Sequence, residues 1–210
     1  MISLSEILHT IAQALMIPCL IILIILMAGA VWQIGDIVVE YIAERRKHKC
    51  NVPQLLRDVH TAGADGLAEL IENSGLLRRQ KKALLELAES RGLPKDTLTA
   101  LAERLLATEE ARNARTTSIT DMIAKLGPMF GLLGTLIPLG PGIVALGQGD
   151  TVTLSESMNV AFDTTIAGVI SAAVASVISH IRKRWYNDDM VSLETLMETG
   201  LEEVTSDVEG

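Results

Sequence analysis

Chemistry in this chain would have to come from hydroxyls, a few histidines and scattered carboxylates, because stronger reagents are isolated from one another. Cys19 and Cys50 stand 31 residues apart with no Cys or His at ligand spacing beside them. Neither a disulfide framework nor a zinc knuckle is indicated, and no metal and no cofactor is expected. His9, His48 and His60 form no cluster, and no nucleophile comes with a base and an orienting group, so an enzyme with a catalytic residue is not expected. Gly131-x-x-Gly134 lacks the Lys-Ser/Thr continuation of a nucleotide loop. What remains is polar side chains set in apolar sequence. Thr164, Gly168, Ala172, Ser176 and His180 recur at i, i+4 spacing, a small-residue stripe suited to close helix packing. His180 is either an interfacial side chain or, with an unperturbed pKa near 6.5, an acceptor for an exiting proton. Asp163 either gathers cations or solvates the start of its helix. A threonine hydroxyl both donates and accepts, so in a dry bundle it can hold a water against a neighbouring carboxylate.

The elements that must position these groups follow from where charge is absent. Hydrophobic residues make up 49% of the 210, yet aromatics only 3%, so the apolar mass is aliphatic and suits lipid-facing helices. Ile7–Gly35, Leu126–Gly149 and Thr164–Ile181 contain no Asp, Glu, Lys or Arg. Each approaches or exceeds the ~20 helical residues that cross a hydrocarbon core. Leu15–Met27 has no amphipathic period and reads as lipid-exposed; its positive charges, Arg45-Arg46-Lys47, follow it, whereas a cleaved signal peptide carries them before. The other two stretches are richer in Gly, Ser, Thr and Pro, as suits helices packed on helices. The expected fold is all-α: an integral membrane protein with three transmembrane helices and long helices extending into the cytoplasm.

Charge also sets the expected orientation. Of 18 Lys and Arg, 15 lie between Arg45 and Lys125 and the other three are Arg182, Lys183 and Arg184. Basic residues near span ends stay in the cytoplasm. This predicts a first transmembrane helix within 1–43 with its N-terminus outside, and a helical cytoplasmic loop over 44–125. Two further spans lie within 126–186, joined by an outer turn near 147–156, and an acidic cytoplasmic tail occupies 187–210. Trp32, Tyr41, Trp185 and Tyr186 then stand at the inner interface. In the loop, Pro53 starts one helix, a second runs over Leu76–Arg91, and Pro94 opens a third with no breaker before Gly127-Pro128. The loop and second span are therefore expected as one long helix. After Trp185 eight acidic residues and no basic one account for the net charge of −8. A weak stripe of Leu193, Leu196, Met197, Leu201 and Val204 predicts a short amphipathic helix fading into a solvated end. No nucleic-acid partner is expected of such a charge pattern.

Pro128-Met129-Phe130-Gly131-Leu132-Leu133-Gly134-Thr135 resembles the Pro-x-x-Gly-Leu-x-Gly-Thr signature of the MotA/TolQ/ExbB proton channel family. Ala161-Phe162-Asp163-Thr164-Thr165-Ile166-Ala167-Gly168 is similar to its third-span Ala-Leu-x-x-Thr-x-x-Gly. The resemblance implies a proton-conducting subunit in the plasma membrane of a prokaryote. It implies a homo-pentamer around a single-span partner of the ExbD/TolR/MotB kind, which carries the intramembrane Asp and converts ion flow into mechanical work. Thr135 and Thr165 match the pore-lining threonines of that scheme, with Thr164 and Asp163 beside the path; Pro128, Gly131, Gly134, Pro138, Pro141 and Gly168 would serve helix packing or kinks. No acidic residue lies mid-span in this chain, so it cannot relay protons alone by carboxylate chemistry, which fits a carboxylate supplied by the partner that the resemblance implies. The chain departs from the family pattern at Val160, where relatives often place Glu, and at Val174, where they place Pro. Pro138 and Pro141 predict a bent or unwound outer half of the second span. These departures leave H⁺ and Na⁺ both open. Two other classes fit the sequence: a membrane scaffold, or a small-solute transporter subunit binding at a broken second span.

Overall fold

The computed structural model describes residues 4–45 and 51–209. Arg46, Lys47, His48 and Cys50 lie outside the described residues. The elements are α1 (Leu4–Ala14), α2 (Met16–Glu40), a π-helical turn (Tyr41–Arg45), α3 (Val52–Asn73), α4 (Arg78–Glu89), α5 (Lys95–Gly147) and α6 (Thr151–Glu209). Among the described residues there is no strand, and the fold is all-α. Three helical stretches, Glu6–Ala43, Lys95–Gly147 and Thr151–Thr205, are long and apolar enough to cross a membrane, with mean hydropathies of 2.9, 1.8 and 1.7. The protein is thus an integral membrane protein whose second and third spans are parts of much longer helices.

Local sequence accounts for most boundaries. Pro18 sits in the first turn of α2, where a missing N–H costs no helical bond, and the chain breaks at Leu15 just before it. Val52 and Pro53 open α3, and α3 continues past Gly66 without interruption. Pro94 caps α5, its carbonyl accepting from Thr97 N (2.9 Å) and Leu98 N (3.0 Å). Between α5 and α6 the turn is tight. Gly149 adopts φ +75°, a conformation that side-chain-bearing residues resist. Asp150 then caps α6: Val152 N and Thr153 N donate to its Oδ1 at 3.1 Å each, and Thr153 Oγ1 donates to Oδ2 at 2.6 Å. These hydrogen bonds hold its carboxyl below the usual carboxylate range.

Two expectations are corrected. The second span is not unwound at Pro138 and Pro141, since α5 remains helical through Pro128, Pro138 and Pro141 to Gly147. Proline's fixed φ is helix-compatible, and each removes one bond to the carbonyl four residues back; for Pro138 that residue is Gly134, which has no side chain to add crowding. The acidic end does not fade into solvent either. α6 runs unbroken to Glu209, and Leu193, Leu196, Met197 and Val204 are buried.

The chain divides into two compact units. One comprises Met1–Ile37 with Thr117–Ile181 and holds the apolar spans, packed through Leu26, Ala30, Ile123 and Ala175. The other comprises Val38–Thr116 with Arg182–Gly210. Its core gathers Leu55, Val59, Leu67 and Ile71 of α3, Leu84 and Leu87 of α4, Leu98 of α5, and the α6 stripe. That core explains why α6 stays ordered: a stripe too weak to hold a helix by itself meets three other apolar helix faces. Polar contacts register the unit. Gln80 accepts from Leu77 N (3.2 Å) and donates to Asp189 O (3.0 Å). Arg182, only 2% exposed, pairs with Glu40 at 3.2 Å. Tyr41 stacks on Trp185 with ring centroids 6.2 Å apart. The pKa of Tyr186, beyond the charge-free stretch that ends at Ile181, is pushed up to about 12, mainly by burial and further by the Glu40 carboxylate.

Candidate functional site

Within the first unit, α5 and α6 form an antiparallel hairpin whose closest approach is built from glycines. A Cβ placed on Gly168 would stand 2.5 Å from Gly127 O and 2.8 Å from Gly131 Cα; one on Gly134 would stand 2.7 Å from Thr164 Cβ. Real Cβ atoms do not approach so closely, so Gly168 meets the α5 backbone, Gly134 meets the Thr164 side chain, and only glycine fits at either place. Nearer the α5–α6 turn, a Cβ on Gly142 would stand 3.2 Å from Ser157 Cβ, so the approach extends along α5 toward Gly147.

The seam on α6 is a strict alternation of three and four residues: Ala161, Thr164, Gly168, Ser171, Ala175 and Ile178 are all buried. This corrects the i, i+4 stripe. Ser176 and His180 are exposed, because each step of four residues overshoots a full turn by about 40° and carries the row off the contact face. A 3.5-residue period keeps to it.

The polar residues of the hairpin separate into buried and uncovered groups. Thr164 is 3% exposed, and its Oγ1 donates to Val160 O or Ala161 O, 3.0 and 2.9 Å away. Thr165, next in sequence, is only partly buried; its hydroxyl donates to Ala161 O at 3.1 Å. Thr135, beside Gly134, is likewise partly buried and donates to Leu132 O at 2.7 Å. Each of these hydroxyls keeps acceptor capacity after satisfying its own helix. Because Gly134 contacts Thr164, the neighbouring Thr135 and Thr165 lie at one level of the hairpin. Asp163 is exposed and stands one residue nearer the α5–α6 turn than Thr164. Thr135, Thr164 and Thr165 are therefore gathered at the glycine contact, with Gly131 and Gly168 alongside, whereas His180 lies about four turns farther along α6.

Sequence reasoning missed a second polar group in this unit. Thr120, fully buried, donates to Gln33 Oε1 at 3.1 Å, joining α5 to α2. Ser179 Oγ donates to Asp121 Oδ1, joining α6 to α5. Gln33 offered a signal: a lone amide in an apolar run needs a partner. Cys19 is a buried free thiol, its Sγ 3.5 Å from Phe130 O.

Three membrane-length helices, two of them joined in a close-packed glycine hairpin, define a multi-pass membrane protein. The sequence profile of the MotA/TolQ/ExbB proton channel family matches residues 69–195, more than half of the chain, and the chain belongs to that family. That is a proton channel family rather than an enzyme family. No curated protein matches the chain as an individual relative.

Proposed function

We propose that the chain is the ion-conducting subunit of an energy-transducing membrane motor complex, carrying protons along a path that passes Thr135 and Thr165. The observation that carries this reading is the contrast between adjacent threonines. Thr164 is consumed by contact with Gly134, while Thr165 and Thr135 sit at the same level and are only partly covered. A hydroxyl left partly uncovered in a spanning helix is costly against lipid and useful against water or a carboxylate.

The carboxylate comes from a single-span partner with an intramembrane Asp, which family membership supports. Five copies of this chain surround it, closing a ring in which the uncovered apolar faces of α5 and α6, such as Leu132, Leu136, Ile166 and Ile170, are covered by neighbours and lipid. The N-terminus and the Gln148–Asp150 turn face outside; 44–125 and the acidic 187–210 segment lie in the cytoplasm, following the distribution of Lys and Arg. The solute-transporter alternative relied on an unwound second span, and α5 is continuous there.

The test is proton flux, followed with an entrapped pH-sensitive dye, in liposomes holding this chain with and without the co-purifying single-span protein. Flux that needs both proteins supports the proposal; absence of flux under an imposed gradient with both present overturns it.

A further inference from the structure

In the second unit, one face of α5 is exposed and built of small residues between arginines. Arg104, Ala107, Thr108, Ala111, Arg112 and Arg115 line an open groove of about 600 Å³. Ala107 and Ala111 permit another helix to approach closely. Arg112 already meets Glu109 of its own helix at 3.5 Å, a partly exposed i, i+3 pair worth little by itself, so with Arg104 and Arg115 the face keeps a row of positive charge that suits carboxylates.

The same unit carries the complementary face on α6. Asp188, Val191, Glu194 and Glu198 are exposed, and Val191 is an apolar residue 55% uncovered between acidic neighbours. Their levels match. A small cavity is lined jointly by Glu109 and Asn113 of α5 and by Tyr186 and Asp189 of α6, which fixes the antiparallel register of the two helices. Counting from it, Arg112 is level with Asp188, Ala107 and Thr108 with Val191, and Arg104 with Glu194. Arg112 to Arg104 spans about 12 Å and Asp188 to Glu194 about 9 Å at ~1.5 Å per residue, within the reach of an arginine side chain. Arg184 is level with Arg115 and marks the end of the complementary stretch nearest the spans.

We infer that the Arg104–Arg112 groove of one copy receives the Asp188–Val191–Glu194 ridge of a second copy. Val191 sits over Ala107 and Ala111, and the charges pair at either end. This rests on the oligomer proposed for the channel and names its contact. Copies in one membrane share a depth, so faces at equal level within one chain are also level between neighbours. Charge complementarity selects the register, since a slip toward Arg184 opposes like charges.

The test uses the full-length chain carrying Cys50→Ser. Ala107→Cys and Val191→Cys are placed on two differently tagged populations, co-expressed, and oxidised with copper phenanthroline in the membrane. The expected product is a cross-linked dimer holding both tags, which neither variant forms alone. Asp188→Lys with Glu194→Lys on the Val191→Cys population should cut the yield roughly tenfold, and Arg104→Glu with Arg112→Glu on the other should restore most of it. If the tagged subunits co-purify but give no mixed dimer, or yields ignore the charge reversals, the contact is wrong and the oligomer stands. If they do not co-purify, the oligomeric reading fails with it.

Discussion

Gly134 and Thr164 meet so closely that a Cβ on the glycine would lie 2.7 Å from the threonine Cβ and 2.9 Å from its Oγ1. Through this contact two sequence motifs 30 residues apart become one place in the membrane. It sorts neighbouring hydroxyls into one that packs and others that remain open.

Gly168→Ala should weaken the hairpin by about 1–3 kcal/mol, the usual cost of forcing a methyl into a packed interface. The obstacle is Gly127 O and Gly131 Cα, backbone atoms that cannot rotate aside. Gly35→Ala, with nothing within 4 Å of its new methyl, should be neutral or slightly stabilising. Thermal unfolding in one detergent ranks the pair; equal midpoints would contradict the close approach.

Tyr186 makes stability depend on alkaline pH. Its folded pKa, about 12, lies above the ordinary 10.0, so the neutral phenol is favoured by the fold. Stability from this group is complete below about pH 10 and is lost as pH rises from there through about 12. Tyr186→Phe should remove this share of the alkaline loss. Melting points of parent and variant between pH 9 and about 12 check it; parallel curves would contradict the assignment.

Orientation is tested by impermeant thiol reagents on intact cells. Cys50 should be protected, and a cysteine introduced as Gln148→Cys should be labelled. The reverse pattern would turn the chain over and move its helical loop outside.

The spans were legible because a charge-free aliphatic run as long as a bilayer is thick has nowhere to go but into lipid, and Pro94 announced the long α5 helix. Other features were not legible, for identifiable reasons. The fate of Leu193, Leu196 and Met197 depends on α3 and α4, more than a hundred residues away, so a stripe too weak to fold alone is a core face. Gln33 with Thr120 and Asp121 with Ser179 are likewise pairs that only the packed helices bring together. Pro138 and Pro141 do not unwind α5, because a breaker's local rule omits what neighbouring helices tolerate. Ser176 and His180 were misplaced by half a residue per step of the stripe, an error that grows along the helix. Thr135 and Thr165 stood out through family likeness; the glycine contact is what sets them at one level.

The most direct test of the ion path is Thr165→Val. The change keeps the volume close and removes only a hydroxyl bonded to Ala161 O. Hydroxyl couplings in membrane bundles average about 0.6 kcal/mol and reach about 1.7, too little to dismantle an assembly, yet a proton path fails if one polar link is lost. In liposomes containing the single-span partner, Thr165→Val should express and assemble as the parent does while partner-dependent proton flux is abolished, with Ser176→Ala, on an exposed face, close to parental. Parental flux from Thr165→Val would contradict the ion path and leave a membrane scaffold as the better reading.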